Sequence, residues 1–220
     1  ILDRVRDVRE AVGDGIDVGV DFRGRINMPM ARRLCEELDQ FGLMFVEEPT
    51  SPEHNHLLPK IAQHTNTPIA TGERLYSRWD CRPVFEDGVV DIIQSSVSHA
   101  GGITEVARIA SMAETYDIAI APNCPLGPIA LAASLHIDVT TPNFLIQDHA
   151  FNIQVGDRAG TYSYLEDSDV FDFEDGYVSP LDAPGLGIEI DEDAVRQKAQ
   201  QDIRWDTPLW HHPDGSVAKW

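Results

Sequence analysis

Six short apolar runs, most followed by an amphipathic stretch, recur down the 220-residue chain at a nearly even step. The runs occupy residues 16–20, 43–46, 68–70, 89–93, 118–121 and 144–146, and helical patterns at 30–38, 57–63, 102–113 and 129–136 lie among them. Buried parallel strands read as continuous apolar runs, and their alternation with helices means βαβ units. At or just past the end of each run stands a polar residue: Asp21, Glu47, Glu73, Ser96, Asn123 and Asp148. These are 26, 26, 23, 27 and 25 residues apart, about what one strand, two loops and one helix require. A doubly wound open sheet also alternates strand and helix, but it gives no reason for an even series of polar strand ends. The expected fold is therefore α/β, a (β/α) TIM-type barrel built unit by unit. Six units are visible where eight are needed, and a complete barrel typically takes ~250 residues. The first two strands are expected before Ile1, which itself falls inside a helical pattern.

Beyond Asp148 the pattern changes. Residues 151–184 are rich in Asp, Gly and Ser without a helical period, and a short strand (187–190), a helix (191–201) and a tail with Trp205, Trp210 and Trp220 follow. We expect residues 1–184 to form the barrel domain, from before its third strand onward. Residues 185–220 are expected to form a tail packing on the barrel or on a further domain, with the tryptophans as packing residues.

A formal charge of −20, with only three lysines (Lys60, Lys198, Lys219), makes the surface strongly acidic. Such a surface repels nucleic acid and anionic membranes, so neither is an expected partner. It also repels an anionic substrate unless salt screens it, the Debye length falling to ~3 Å at 1 M. Two readings fit: a halophilic protein from a high-salt cytoplasm, which the Asp-weighted composition favours, or an ordinary acidic protein kept soluble by net charge. Cys35, Cys81 and Cys124 are widely spaced, odd in number and form no CxxC pair. They imply neither a disulfide framework nor a zinc site, and suit a reducing cytoplasm.

Active sites of such barrels lie at the C-terminal ends of the strands, where Asp21, Glu47 and Glu73 fall. Three carboxylates converging from neighbouring strands would repel one another, and a hard divalent cation relieves this. An all-oxygen donor set favours Mg²⁺ over zinc or copper. Acids that merely cap the following helices would account for one of them, not for three at even steps.

The stretches VGVDFRGR (18–25), FVEEPTSPEHN (45–55), IATGERLYSRWD (69–80), VDIIQSSVSHAGGITE (90–105) and APNCPLGPIALAASL (121–135) resemble the mandelate racemase branch of the enolase superfamily. Within it they are most similar to the D-galactonate dehydratases and related sugar-acid dehydratases, as are PGLGIEID (184–191) and HPDGSVAKW (212–220). The resemblance implies a capping domain and two strands upstream, and a tendency to form homo-oligomers. It implies a sugar-acid substrate bound through its carboxylate to Mg²⁺. It further implies removal of the α-proton and loss of the 3-hydroxyl, giving a 2-keto-3-deoxy acid. Asp21, Glu47 and Glu73 match the metal ligands of that family. Asp148 matches a glutamate that helps to stabilise the enediolate, one methylene shorter.

Three positions depart from the pattern. The dehydratases carry a general-base His where this chain has Asn123, an Asp orienting that His where it has Ser96, and a general-acid His where it has Arg23. Asn has no titratable group, and Arg holds its proton too tightly to act as an acid near neutral pH. A metal- and carboxylate-binding pseudoenzyme is therefore the alternative to a working dehydratase. Among other titratable groups, His149 follows Asp148 directly and is a candidate base, although strand alternation turns it to the opposite face. His54 could face the mouth of the site. His99 and Cys124 read as structural, His211 and His212 as surface residues, and a lysine base on a strand upstream is a further alternative.

Overall fold

The computed structural model describes residues 1–149, 163–200 and 211–217. Helices α1 (Leu2–Val12), α2 (Met28–Leu38), α3 (Leu58–Ala62), α4 (Arg78–Glu86), α5 (Ile103–Glu114) and α6 (Pro128–Asp138) alternate with strands β1 (Gly19–Asp21), β2 (Phe45–Glu47), β3 (Ile69–Thr71), β4 (Ile92–Ile93) and β5 (Ala119–Ile120). The five strands are parallel and lie side by side in chain order. The line continues through a parallel bridge between Ile120 and Phe144. It then passes to a second parallel pair, β6 (Asn123–Cys124) and β7 (Asp148–His149). Six strand positions thus follow one another in sequence order, the arrangement of a partial (β/α) barrel.

Side chains alternate across these strands. Val46, Ile69, Ile93 and Ile120 belong to the main core, together with Leu34 and Leu38 of α2, Phe85 of α4 and Ile109 of α5. Phe45, Ala70, Ile92, Ala119 and Ala121 form a separate small cluster on the other face. Gly19 leaves room for it, since a β-carbon there would lie 2.7 Å from the Phe45 ring. This second face, continued to the strand ends, carries Asp21, Glu47, Gln94, Asn123 and Asp148.

Local chemistry sets the helix starts. Asn27 caps α2 by accepting from the Met30 amide, and Ser77 caps α4 by accepting from the Asp80 amide. Each satisfies a donor the helix leaves unpaired. The C-terminal end of α2 is tied to the start of β3 by Asp39, whose carboxylate accepts from Thr65, from the Asn66 amide, and from both the amide and hydroxyl of Thr67.

Two expectations need correcting. The run at 144–146 is not a buried strand: only Phe144 pairs, and Phe144, Leu145 and Ile146 are 37%, 40% and 48% exposed. Both flanks of the strand array show apolar residues in this way, Ile16 at 57%, because no described strand lies beyond them. The strand expected at 187–190 reduces to a single bridge between Leu165 and Ile190. An antiparallel hairpin of β8 (Phe173–Glu174) and β9 (Tyr177–Val178) stands in the Asp- and Gly-rich stretch instead. Helix α7 (Glu192–Ala199) follows, capped by Asp191. Leu165, Phe171, Leu186, Ile188 and Ile190 pack with Cys124, Leu131 and Leu135 in a second core. Trp205, Trp210 and Trp220 lie outside the described residues. No described helix is long and apolar enough to cross a membrane.

Candidate functional site

β1, β2 and β3 run in register, Asp21 opposite Glu47 and Glu47 opposite Ala70. Asp21 and Glu47 therefore end neighbouring strands at one level, and Glu73 follows two residues past the end of β3. The turn that carries Glu73 depends on Gly72, whose φ is +140° and where a β-carbon would lie 2.7 Å from the Gln94 amide nitrogen. Any larger residue would push β3 away from β4.

Glu47 is the electrostatic centre of the group. It is 8% exposed. Burial, then the negative fields of Asp21, Asp148 and Glu73, push its carboxyl up to about 8, while the Gln94 amide works the other way. Asp21 is raised too, by burial first, against the pull of the Arg23 amide and guanidinium. With 33% of its side chain exposed, water moderates the effect. Asp148 is raised mainly by burial, opposed by a hydrogen bond from Asn123, whose Nδ2 donates to Oδ2 at 3.0 Å. Counting Glu48, five carboxylates share this region with two guanidiniums, those of Arg23 and Arg74.

Asp21, Glu47, Glu73, Asn123 and Asp148 thus interact as one group, through hydrogen bonds or mutual fields. Arg23 joins it with its amide 2.6 Å from Asp21 Oδ1 and its Nη1 3.7 Å from Oδ2. Ser96 is buried just beyond β4, but its hydrogen bonds run through its carbonyl, which accepts from the amides of His99 and Ala100. His149 is on the other face. It pairs in register with Cys124, and its ring stacks on Phe173 at 5.2 Å, as alternation along β7 requires. His99 packs edge-on against Tyr76. His54 lies against His56 and lines a groove with Gly24, Ser51 and His212, a groove that none of these carboxylates lines. Burial pushes the Cys124 thiol up to about 11, the state of an inert packing residue.

The donor set suits a hard cation. Besides the carboxylates, Gln94 Oε1 and Asn123 Oδ1 are buried neutral acceptors with no hydrogen-bond partner among the described residues. The carboxylates are not drawn into a closed cage: among the described residues no three His, Cys, Asp or Glu side chains form a ready metal cluster. Asp21 leans toward Arg23, and Glu73 Oε1 lies 3.0 Å from Arg74 Nη2. Glu48, Arg74 and Gln94 were not singled out from the sequence. The available signals were the doubled acid at 47–48, the arginine directly after Glu73, and the even spacing of Gln94 from Ile92 along β4, which keeps it on the site face.

Curated proteins similar to this chain include several named D-galactonate dehydratase. The chain is 46% identical over 219 residues to a D-galactonate dehydratase of Cronobacter sakazakii, covering 100% of this chain and 57% of that protein. A D-galactonate dehydratase of Ralstonia pickettii is 45% identical over 217 residues, covering 99% and 57%. The chain therefore spans little more than half the length of these relatives. Among solved structures, a mandelate racemase/muconate lactonizing enzyme-like protein from Rubrobacter xylanophilus superposes with a TM-score of 0.80 at 33% identity, over 89% of this chain and 49% of that one. A member of the enolase superfamily from Salmonella Typhimurium gives 0.82 at 28% identity, over 89% and 48%. Residues 1–194 match the enolase C-terminal domain-like family. With its parallel strands in sequence order and its acids at their ends, the chain belongs to that family, as a partial (β/α) barrel.

Proposed function

We propose that this chain is the barrel part of a Mg²⁺-dependent sugar-acid dehydratase, a hydro-lyase acting on galactonate-like aldonates. The observation that carries this reading is Glu47, buried among Asp21, Glu73 and Asp148 and pushed up to about 8 by burial and their fields. A carboxylate so placed calls for a positive ligand. Asp21, Glu47 and Glu73 would hold the cation, which when bound supplies an electrophilic anchor for the substrate carboxylate. Burial favours the protonated form of Asp148, the form that donates to an oxygen gaining negative charge. Arg23, two residues past Asp21 and with 53% of its side chain exposed, carries a permanent charge suited to an anionic sugar acid. The reaction breaks the α C–H bond, passes the proton to a base, expels the 3-hydroxyl as water, and leaves a 2-keto-3-deoxy acid after tautomerisation. Residues 1–184 would serve as the barrel and 185–220 as a tail, of which Leu186 and Ile188 pack on the core of α6.

A second reading is favoured by a specific observation. Asn123 donates to Asp148, Arg23 carries a guanidinium 3.7 Å from Asp21, and His149 stacks away on Phe173. None of these is an available base, so the described residues grip a carboxylate without completing the proton transfer. The chain would then bind sugar acids without turning them over, unless a base is supplied from upstream. Proton NMR of galactonate and gluconate in D₂O with Mg²⁺, on the protein including its upstream part, separates the two. Exchange of the α-proton with formation of the keto acid supports the dehydratase. A parent that leaves the proton in place, while Ser96→Asp with Asn123→His gains exchange, supports the binding protein. No exchange by either protein counts against both.

A further inference from the structure

Two residues beside the carboxylates have a left-handed backbone that non-glycine residues rarely adopt, Arg23 at φ 52° and Glu48 at φ 46°. They follow the ends of adjacent strands and are linked through the next residue, the Gly24 amide donating to the Glu48 carbonyl at 2.9 Å. One side chain ties this pair to the next strand. Arg74 Nη1 donates to Glu48 Oε2 at 3.0 Å and to the Arg23 carbonyl at 3.2 Å. Its Nη2 reaches the same carbonyl at 3.3 Å and Glu73 Oε1 at 3.0 Å. A single planar guanidinium thus spans the ends of β1, β2 and β3, the three strands that supply Asp21, Glu47 and Glu73.

Glu48 is itself fixed. Its side chain is 2% exposed, and Oε1 accepts from the Thr71 hydroxyl at 2.7 Å and the Gly72 amide at 3.4 Å, leaving Oε2 for Arg74. The space for the guanidinium is kept by Gly24 (φ +65°), where a β-carbon would lie 2.9 Å from Arg74 Nη1 and 3.0 Å from the Thr50 carbonyl. A lysine has no fork to reach three acceptors in different directions.

We infer that Arg74, clamped by Glu48 in the space left by Gly24, is a positioning residue that fixes the spacing of the carboxylates of Asp21, Glu47 and Glu73. The inference rests on the reading of those three as a cation site. Arg74 holds one oxygen of Glu73 and the turn that follows Asp21, so it sets where both carboxylates stand relative to Glu47. Mg²⁺ demands near-ideal octahedral geometry, whereas Ca²⁺ accepts a flexible shell. Loosening the bracket therefore weakens Mg²⁺ more than Ca²⁺, a difference a mere fold brace would not produce.

The test is calorimetric titration of Mg²⁺ and of Ca²⁺ into the protein with its upstream part, for the parent, Arg74→Lys, Arg74→Met, Glu48→Gln and Gly24→Ala, each below its melting temperature. Mg²⁺ affinity is expected to fall about 10-fold or more in Arg74→Met, as for loss of a group that orients metal ligands, with a smaller fall for Ca²⁺. Gly24→Ala, which keeps every charge but crowds the guanidinium, should move in the same direction, and Arg74→Lys should restore only part of the loss. If Arg74→Met does not fold, Gly24→Ala and Glu48→Gln decide the matter. A parent that binds Mg²⁺ alongside variants that bind it within two-fold, or that lose both ions equally, overturns the positioning role and leaves the cation site standing. A parent that takes up no Mg²⁺ overturns the cation-site reading and the positioning role with it.

Discussion

Asp138, the last residue of α6, is a buried carboxyl, 7% exposed, with neither oxygen hydrogen-bonded among the described residues. Burial alone pushes it up to about 8 from the usual 3.8. Between those values the native chain keeps a proton that the unfolded chain has released. Stability is therefore full at low pH and falls as pH rises through this window, levelling off above about 8. Asp138→Asn removes that titration. Its melting temperature is expected to exceed the parent's at pH 8 and match it more closely at pH 4.5, with a difference in slope of up to about 1.4 kcal/mol per pH unit. Equal pH profiles would mean that Asp138 has a partner in the folded protein. The residue scale is also where sequence was most and least informative. Asp21, Glu47 and Asp148 stood out because their spacing exposed them. Arg74 and Glu48 did not, because an arginine's reach across three strands depends on where its fork lands and not on its place in the chain.

At the scale of elements, strands announced themselves through apolar runs, although the paired segments are two or three residues long and shifted toward the polar ends. β6 and β7 were hidden because Asn123–Cys124 and Asp148–His149 lack the apolar continuity of a buried strand. Helix α4 carries Pro83 within it and exposes Trp79, which blurs its period. It forms because Ser77 caps it and Cys81, Val84 and Phe85 are buried against the core. Contacts between elements matter as much as the elements do. Asp39 fastens α2 to β3 through five donors from Thr65, Asn66 and Thr67, and these hold its carboxyl below the ordinary value against the opposing effect of burial. Asp39→Ala leaves those donors without their acceptor and is expected to cost about 1–3 kcal/mol. A thermal melt checks this, since each kcal/mol shifts the midpoint by ~2–4 °C in a domain of this size. A loss below a few tenths of a kcal/mol would show that the loop finds equivalent partners.

For the whole molecule, charge and connectivity set the behaviour. A net −20 spread over this chain favours expansion, and salt relieves it by screening. If the acidity is a halophilic adaptation, the melting temperature rises steeply from low to molar KCl; a flat profile leaves solubility as its explanation. The barrel architecture was legible from the period of the runs, because each βα unit repeats the same physical problem. What closes the array was not, since its flanks present apolar residues such as Ile16 and Ile146 to solvent and no described strand covers them. All of this serves one site, and the most direct test of it is anomalous diffraction from Mn²⁺-soaked crystals of the protein. The expected result is a single strong peak bounded by carboxylate oxygens of Asp21, Glu47 and Glu73, at roughly 2.0–2.6 Å, the range of oxygen ligands to hard divalent ions. A peak elsewhere, or none at saturating Mn²⁺, would contradict the assignment of these three residues as the metal centre.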